Sequence, residues 1–255
     1  MGTFLRSGRV GKLEMIPKRI HYCWFGKKEK PRLAKKCIES WKKHCPDYEI
    51  IEWNEDNFDI QAYPYAIYCY EHQKYAFLSD FVLLMVVYQF GGIYLDTDVE
   101  LLKSLDELLV YEAFYGFENK NFINTGLGFG AVKENFIVRE MLQEYLELQI
   151  DSDGNFPIQG CPSLNTKTLM SFGLILDGSR QNICGVQILP IDYLNPYDDQ
   201  TGYLNQTDNT ISIHWYSKSW MKTTSVLRSK ITKPFHRIFG VNCFEWLKNR
   251  GRKNE

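Results

Sequence analysis

The sequence lacks the features that mark several large classes of protein. Its seven cysteines are odd in number and form no C-x-x-C pair, which indicates reduced thiols rather than a disulfide framework or a zinc site. No apolar run approaches the roughly 20 residues that a membrane-spanning helix needs. The formal net charge of −1 gives no overall attraction for nucleic acid. These absences predict a cytoplasmic protein that neither crosses a membrane nor binds DNA or RNA.

Enough apolar material is present for a sizeable core. The 255 residues are 44% hydrophobic and 15% aromatic, which suits one domain with a small extension. Residues 1–14 are polar, glycine-rich and aperiodic, and we interpret them as a leader added for expression, with Met15 as the native start. The main domain is expected over residues 15–220, and a basic, aromatic, helical extension over residues 221–255.

Hydrophobic periodicity predicts strands that alternate with helices. Strands are expected at residues 16–26, 48–53, 92–98, 113–118, 122–132, 186–192 and 210–216, and helices at residues 32–44, 64–70, 74–90 and 137–149. This alternation predicts an α/β fold with a mostly parallel central sheet flanked by helices. In such sheets, ligands bind at the carboxyl ends of the strands.

Two aspartates, one residue apart, follow the apolar run GGIYL. In an extended segment Asp96 and Asp98 point the same way, so both can face one target. Two carboxylates with open coordination positions suit Mg²⁺ or Mn²⁺ held together with substrate phosphates. A second D-x-D pair, Asp151 and Asp153, precedes Gly154 in a polar stretch, and we interpret it as a loop tip. Taken alone, the first pair is as compatible with a solvated turn as with a metal site.

Asp80 is a third carboxylate in an apolar setting. At helical spacing, its neighbours are Leu83, Leu84 and Val87, and an unpaired carboxylate on a core-facing stripe is costly. Two interpretations follow. Asp80 caps its helix near the N-terminus together with Ser79, or it faces a ligand at the edge of the core.

The stretch AFLSDFVLLMVVYQFGGIYLDTDVELL, at residues 76–102, resembles the central block of the glycosyltransferases with a DXD sugar-binding motif. That family includes fungal initiating α-mannosyltransferases and bacterial capsule and lipopolysaccharide enzymes, with the glucosylating clostridial toxins as distant relatives. The resemblance extends to IPKRIHYCWFG at residues 16–26, to Gly160-Cys161-Pro162 and to ISIHWYSKSW at residues 211–220. It implies a fold of the GT-A type, which binds nucleotide-diphosphosugars and transfers the sugar from them.

The resemblance also implies roles for individual residues. Asp98 would bind Mn²⁺ or Mg²⁺ at the donor diphosphate, and Asp96 would contact the ribose and sugar, or the metal through water. Asp80 would hydrogen-bond the donor sugar. Trp24 would stack on the nucleobase, with core packing as the alternative. The other donor-site residues that it implies are Ser79, Tyr94, Asn124, His214, Ser219 and Trp220. For His214, metal binding, phosphate contact and a satisfied core position stay open.

The implied reaction moves a hexose or N-acetylhexosamine from a nucleotide sugar to a saccharide or lipid-linked acceptor in surface polysaccharide synthesis. A UDP-sugar is the favoured donor, and GDP-mannose is the alternative. The family retains the anomeric configuration, and no carboxylate in the sequence stands out as a double-displacement nucleophile. We therefore expect front-side attack by the acceptor hydroxyl.

One position departs from the family pattern. An arginine usually stands three residues after the aspartate of the Ser-Asp pair, where this chain has Leu83. Leucine cannot make the charge-assisted contacts of arginine. Replacement by Lys74 or Lys218, a shifted donor preference, and weak turnover all stay open. The alternative functions are a nucleotide-sugar-binding protein with little turnover, a sugar-phosphate transferase and a metal-dependent hydrolase.

The C-terminal extension is strongly basic. Residues 221–255 carry nine lysines and arginines against two glutamates, a formal net charge of +7, with aromatic residues interleaved. On short helices this composition suits the surface of an anionic membrane, which would place the protein peripherally on the inner face. The equal alternative is a helix packed on the domain with a solvated basic face.

Overall fold

The computed structural model describes residues 14–158, 160–218, 223–241 and 243. The strands within these residues are β1 (Arg19–Cys23), β2 (Glu49–Trp53), β3 (Gly92–Tyr94), β4 (Val99–Leu101), β5 (Ala113–Asn119), β6 (Phe122–Ile123), β7 (Phe129–Ala131), β8 (Gln181–Ile183), β9 (Val186–Leu189) and β10 (Ser212–His214). The helices are α1 (Arg32–His44), α2 (Pro64–Glu71), α3 (Tyr75–Phe90), α4 (Phe136–Leu146), α5 (Cys161–Ser171), α6 (Ile191–Leu194) and α7 (Thr223–Phe239).

Eight strands form the main sheet, in the order β2-β1-β3-β7-β5-β9-β8, with β6 paired to β5. Strand β1 is parallel to β2 and β3, and β5 is parallel to β9, whereas β6, β7 and β8 pair antiparallel with their neighbours. Followed across the sheet, these pairings run β2, β1, β3, β5 and β9 in one direction. The predicted α/β fold with a mostly parallel sheet flanked by helices is confirmed.

Consecutive strand residues face two different cores, because side chains alternate between the faces of a sheet. Tyr22 and Ile93 pack in one core with Trp41 of α1. Cys23 and Tyr94, the next residue in each strand, pack in the other core with α2, α3, α4 and α5. Helix α3 is apolar around most of its circumference, which is typical of a helix buried between a sheet and other helices.

The strand order reverses at β1. The chain passes from β1 through α1 to β2 on one side, and then through α2 and α3 to β3 on the other side. Such a reversal opens a crevice at the carboxyl ends of the strands. Trp24 directly follows β1 and Asp96 follows β3 by two residues, so both lie at this edge.

Two glycines make the sharp turn from α3 into β3. Gly91 and Gly92 have φ angles of 64° and 118°, a region that side-chain-bearing residues rarely adopt. A Cβ atom added to Gly92 would lie 2.8 Å from Nε2 of His21, and that same nitrogen donates a hydrogen bond to the Gly91 carbonyl at 2.9 Å. The glycine pair thus brings β3 close enough to pair with β1.

Strands β4 and β10 form a separate antiparallel pair that lies beside the main sheet. His214 stands opposite Val99 in its register, and the Trp215 N–H donates to the Asp98 carbonyl at 3.0 Å. The last strand of the domain therefore returns to the segment that carries the two aspartates.

The structure shortens one predicted strand, divides another, and adds helix α5, which was not predicted. The strand expected at residues 92–98 ends at Tyr94. The strand expected at residues 122–132 is divided into β6 and β7, because the Asn124 side chain accepts a hydrogen bond from the Gly126 N–H and turns the chain into a 3₁₀ turn at Thr125–Leu127. Helix α5 escaped prediction because its buried positions include Asn165, Thr166 and Thr168, which weaken the amphipathic pattern.

Where the structure describes the extension, at residues 223–241 and 243, it contains one helix of 17 residues, α7, in place of the expected short helices. It packs on the loop at residues 197–202. Lys233 Nζ donates to Asp199 Oδ1 at 3.0 Å, and Arg237 donates to the carbonyls of Thr201 and Gly202. Among the described residues, every helix is too short or too polar to cross a membrane. Of the expected leader, residues 1–13 lie outside the described residues, as do residues 219–222 and most of the segment after residue 241.

Candidate active site

Three side chains with metal-ligating atoms meet at the carboxyl edge of the sheet. Asp96, Asp98 and His214 each place one such atom within 4.8 Å of the other two. His214 Nε2 lies 3.0 Å from Asp98 Oδ1 and 4.0 Å from Asp96 Oδ2. The pairing of β4 with β10 brings the histidine to the aspartates, which are distant in sequence.

The two aspartates converge, but the reason predicted from an extended segment is wrong. Thr97 and Asp98 lie in a turn, in which the Val99 N–H donates to the Asp96 carbonyl at 3.0 Å. The Tyr94 hydroxyl donates to Asp96 Oδ1 at 3.0 Å, and the Ser217 N–H donates to Asp98 Oδ2 at 2.6 Å. Each carboxylate is thus oriented by its own partner rather than by strand alternation.

Burial and close charges shift the pKa values of all three groups. For Asp96, burial and the negative charge of Asp98 raise the pKa to about 7. For Asp98, burial alone would raise the pKa, but the charge and hydrogen bond of His214 and the Ser217 amide hold it well below its usual range. For His214, burial is outweighed by Asp98 and Asp96, and the pKa rises to about 9. The crevice therefore concentrates negative charge that one histidine only partly offsets.

This donor set fits a divalent cation. Two carboxylates and an imidazole are ligands that Mn²⁺ accepts readily, and Mg²⁺ accepts the oxygens. The three atoms are close enough to share one ion, and the raised pKa of Asp96 reflects negative charge that a cation would offset. The predicted metal pair, Asp96 and Asp98, is thereby extended by His214.

The second D-x-D pair is an exposed turn, as predicted. Asp151 Oδ1 accepts hydrogen bonds from the N–H groups of Asp153 at 3.0 Å and Asn155 at 2.8 Å. Both aspartates are exposed. The Asp151 carboxylate therefore stabilises the local loop.

Asp80 faces another helix rather than capping its own. Helix α3 begins at Tyr75, so Asp80 and Ser79 lie inside it, and the predicted capping role is wrong. Asp80 Oδ2 accepts a hydrogen bond from the Cys161 N–H at 3.3 Å, at the start of α5, where backbone N–H groups have no partner within the helix. Burial raises the pKa of Asp80 to about 6.

The turn at Asn124 packs directly against Asp96, one of the candidate metal ligands. Asn124 Oδ1 accepts hydrogen bonds from the Gly126 N–H at 2.7 Å and from the Cys161 thiol at 3.3 Å. A Cβ atom added to Gly126 would overlap Asp96 Oδ2. The sequence-based reasoning missed Gly126. The turn letters "NTG", inside the strand predicted at residues 122–132, were the indication of it.

Other predicted donor-site residues lie at the same edge. Trp24 is half-buried, and its indole N–H donates to the Lys28 carbonyl at 2.6 Å. Tyr94 is fully buried, with its hydroxyl on Asp96. Ser79 donates its hydroxyl to the Tyr75 carbonyl at 2.9 Å, one turn earlier in α3. Ser219 and Trp220 lie outside the described residues.

Leu83 is fully buried in the core that surrounds α3, at the position of the family arginine. The two lysines considered as its replacement have partners of their own. Lys74 Nζ donates to the Tyr68 hydroxyl at 3.1 Å, and Lys218 Nζ pairs with Asp199 Oδ2 at 2.5 Å. Of these two lysines, Lys218 stands nearer to the metal-ligating residues in the chain, because it follows Ser217.

Residues 31–115 match the family model described as the glycosyltransferase sugar-binding region containing the DXD motif. The matched span includes Asp80, Asp96 and Asp98. Over this span the chain is similar to the sugar-binding region of the DXD glycosyltransferases. The family resemblance stated from the sequence is confirmed, and the sheet topology agrees with the predicted GT-A type fold.

Two curated fungal relatives each match part of the chain. Inositol phosphoceramide mannosyltransferase 3 of Schizosaccharomyces pombe is 34% identical over 110 residues, which cover 39% of this chain and 29% of the relative. The mannosyl phosphorylinositol ceramide synthase of Saccharomyces cerevisiae is 29% identical over 114 residues, which cover 40% of this chain and 28% of the relative. The match thus spans less than a third of either relative.

Two solved glycosyltransferase structures are similar at low identity. The PaToxG glycosyltransferase has a TM-score of 0.47 and 19% identity, over 62% of this chain and 70% of that chain. A glycosyltransferase involved in glycosylation of the major capsid of PBCV-1 has a TM-score of 0.45 and 14% identity, over 84% of this chain and 98% of that chain.

Proposed function

We propose that this chain is a metal-dependent glycosyltransferase that moves a hexose from a nucleotide sugar to a saccharide or lipid-linked acceptor. The observation that carries the proposal is the convergence of Asp96, Asp98 and His214 at the strand-order reversal, within a DXD sugar-binding region. A crevice at such a reversal is where nucleotides bind in α/β sheets.

Asp98, Asp96 and His214 would hold Mn²⁺ or Mg²⁺. When bound, the ion would stabilise the negative charge of the departing diphosphate. His214 must be unprotonated at Nε2 to act as a ligand, so ion binding would displace its proton. The Ser217 N–H fixes the other oxygen of Asp98 and would keep that carboxylate aimed at the ion.

The surrounding residues would bind the donor. Trp24, at the end of β1, is placed to stack on the nucleobase. Asp80 and Asn124, linked through Cys161, are placed to hydrogen-bond the sugar. A UDP-sugar is the favoured donor. GDP-mannose is the alternative donor, because the fungal relatives are named for mannose transfer. Their names also favour a lipid-linked acceptor.

Transfer is expected to retain the anomeric configuration through front-side attack by the acceptor hydroxyl. We place the reaction in the synthesis of surface polysaccharides such as capsule or lipopolysaccharide. Protonation of the leaving group by a protein acid would not be required, because a diphosphate leaves readily beside a cation.

Donor hydrolysis with a panel of nucleotide sugars tests the function. We expect one donor to be hydrolysed with Mn²⁺ and to be stable with EDTA, with release of the nucleoside diphosphate. Proton NMR of the first-formed transfer product should show the retained anomer. Release of a nucleoside monophosphate would instead identify a sugar-phosphate transferase.

A binding protein with little turnover is the second candidate, and Leu83 is the observation that favours it. A fully buried leucine cannot supply the cationic contact that the family arginine makes. Calorimetric binding of a nucleotide sugar without hydrolysis would support this candidate over the enzyme.

The extension supports peripheral contact with an anionic membrane. Lys233 and Arg237 bind the domain, whereas Ile231, Ile238 and Phe239 are 59%, 72% and 69% exposed. At 3.6 residues per turn, the three apolar residues lie on the side of α7 opposite to the two cations. An apolar stripe in a basic segment is typical of helices that lie in the membrane interface.

Co-sedimentation with vesicles tests this contact. We expect Phe239→Asp to reduce binding to vesicles that contain phosphatidylglycerol. Ile175→Asp, at a position that is 64% exposed and distant in sequence, is the matched control and should bind like the unmodified protein. Equal binding of both variants would exclude the α7 stripe as the contact.

A further inference from the structure

A fourth carboxylate, from Glu118, lies at the same edge of the sheet as the metal-ligating residues. Glu118 is the penultimate residue of β5, and β5 runs in the same direction as β1 and β3. Only β7 separates β3 from β5, so at a strand spacing of ~4.8 Å the two strand axes are about 10 Å apart. Ile93 and Phe114 both pair with Gly130, so β5 extends further toward this edge than β3, which ends at Tyr94.

The partners of Glu118 belong to the segments that form the site. The Tyr216 hydroxyl donates to Glu118 Oε1 at 3.2 Å, and the Tyr216 ring lies 4.1 Å, centroid to centroid, from the ring of His214. Asn124 interacts with the same carboxylate through a side-chain hydrogen bond. Glu118 is thus flanked by the metal-ligating histidine on one side and the Asn124 turn on the other.

The main chain and side chain of Glu118 are held by one further residue. Asn195 Nδ2 donates to the Glu118 carbonyl at 2.8 Å and to the Tyr216 hydroxyl at 2.8 Å. This arrangement orients Tyr216 so that its own hydrogen points to the carboxylate. The carboxylate is therefore positioned in advance, which reduces the entropic cost of using it to bind a ligand.

Glu118 keeps capacity to accept further hydrogen bonds. A carboxylate has about four lone-pair sites, of which Tyr216 and Asn124 use two. The side chain is half-buried, so part of it is open to solvent. Burial raises the pKa of Glu118, and the nearby His214 and its two hydrogen-bond partners act in the opposite direction.

We propose that Glu118 is an acceptor-binding residue, whose carboxylate accepts a hydrogen bond from a hydroxyl of the incoming saccharide or lipid headgroup. The inference rests on the proposed transferase function and adds a residue to it. Three residues along the edge would then bind three parts of the substrates. The nucleobase would lie at Trp24 after β1, the diphosphate at Asp96 after β3, and the acceptor at Glu118 of β5. Glu118 orients the acceptor and takes no proton from the reacting oxygen.

The test separates donor chemistry from acceptor binding in Glu118→Gln. Donor hydrolysis by water is measured first, and then transfer to methyl α-mannoside, methyl β-glucoside, methyl β-galactoside and myo-inositol. Hydrolysis should stay within about twofold of the unmodified enzyme, because the metal-ligating residues are unchanged. For the best probe, kcat/KM for transfer should fall by about 10- to 100-fold, the loss expected for one hydrogen bond to a charged group.

Two variants serve as controls. Glu112→Gln makes the same change just before the other end of β5, and it should alter neither rate. Glu118→Asp keeps the charge on a side chain that is one methylene shorter. Its transfer activity should therefore be partly restored relative to Glu118→Gln, with a lower acceptor KM than in that variant. This variant also replaces Glu118→Gln as the test if the glutamine variant melts at a clearly lower temperature.

Several outcomes would overturn the inference. Equal losses of hydrolysis and transfer would make Glu118 a structural support, and unchanged transfer would exclude a contact. The inference would also fail if none of the four hydroxylated probes increased the rate of donor consumption by the unmodified enzyme. If the unmodified chain hydrolyses no donor, the proposed function fails separately. Saturation-transfer NMR with the same probes, Mg²⁺ and UDP then decides, since Glu118→Gln should lose the probe signal.

Discussion

Asp96–Asp98 and Asp151–Asp153 are two copies of one short motif in very different surroundings. Asp151 accepts hydrogen bonds from Asp153 and Asn155, which are no more than four residues away. Asp151 and Asp153 are both exposed. Asp98 is bound by His214 and Ser217, more than a hundred residues away. The difference teaches that the letters D-x-D become a candidate metal site only where remote segments close around them.

Folding against remote segments also changes the free-energy cost of keeping the carboxylates ionised. An exposed carboxylate is solvated and needs no counter-charge, whereas neighbouring buried carboxylates repel each other and require one. The protein places His214 there, and a divalent cation would complete the compensation. The following predictions use the exposed Asp151–Asp153 pair as a control for the Asp96–Asp98 pair.

The largest contrast is expected between Asp98→Ala and Asp153→Ala. Loss of Asp98 removes a metal ligand and the anchor of the Ser217 N–H, so Mn²⁺-dependent donor turnover should fall by at least about 100-fold. Asp153→Ala should retain activity within about twofold. Steady-state hydrolysis of the donor identified in the panel gives both values. Full activity in Asp98→Ala would disprove the site assignment.

Metal binding should stabilise the fold only through the Asp96–Asp98 pair. At a free Mn²⁺ concentration of about 100 times its Kd, the free energy of unfolding should rise by about 2.7 kcal/mol. Thermal melts with Mn²⁺ and with EDTA measure the shift, which Asp153→Ala should keep and Asp98→Ala should lose. An equal shift in both variants would mean that the ion binds elsewhere.

Gly126→Ala and Gly154→Ala compare a glycine next to each pair. The Cβ added at Gly126 would overlap Asp96 Oδ2, whereas an added Cβ at Gly154 meets nothing within 4 Å. We expect Gly126→Ala to displace Asp96 and reduce turnover by about tenfold, since small misplacements at a reacting centre are costly. Gly154→Ala has a positive φ of 81° and should lower the melting temperature slightly without lowering turnover. Similar turnover in the two variants would contradict the close approach.

The smallest effect concerns the pH dependence of stability in the metal-free protein. The pKa of His214 rises from its ordinary 6.5 to about 9, so its contribution is complete below pH 6.5 and is lost as the pH rises through about 9. The pKa of Asp98 is lowered from its ordinary 3.8, so its contribution is present above that value and is lost at lower pH. The pair therefore stabilises the fold most between about pH 4 and pH 6.5.

Urea denaturation in EDTA measures this dependence. The difference in free energy of unfolding between the unmodified protein and His214→Gln should be larger at pH 6 than at pH 9.5, by on the order of 1 kcal/mol. A pH-independent effect of His214→Gln would show that the ion pair with Asp98 is not the source of its stability.

Much of the fold was predictable because its periodicities are local. Helix α1 has the predicted bounds, residues 32–44, since Cys37, Ile38 and Trp41 repeat at helical spacing and are all buried. The turn at Gly91 and Gly92 was predictable because only glycine adopts both φ angles readily. Helix α5 was not predictable in this way, because polar residues occupy its buried side and hydrogen-bond there.

The sequence by itself determined the α/β alternation, the family and the candidate metal pair, because these depend on residue spacing and on letters that lie close together. Only the tertiary structure decided which partners the pair has. The pairing of β4 with β10 brings His214 to Asp98, and the start of α5 meets Asp80. It also decided that Glu118 shares an edge with Asp96, since strand order, unlike strand identity, is set by packing between distant segments. A carboxylate at the end of a strand is visible in the sequence, but whether it faces solvent or a ligand depends on what folds beside it.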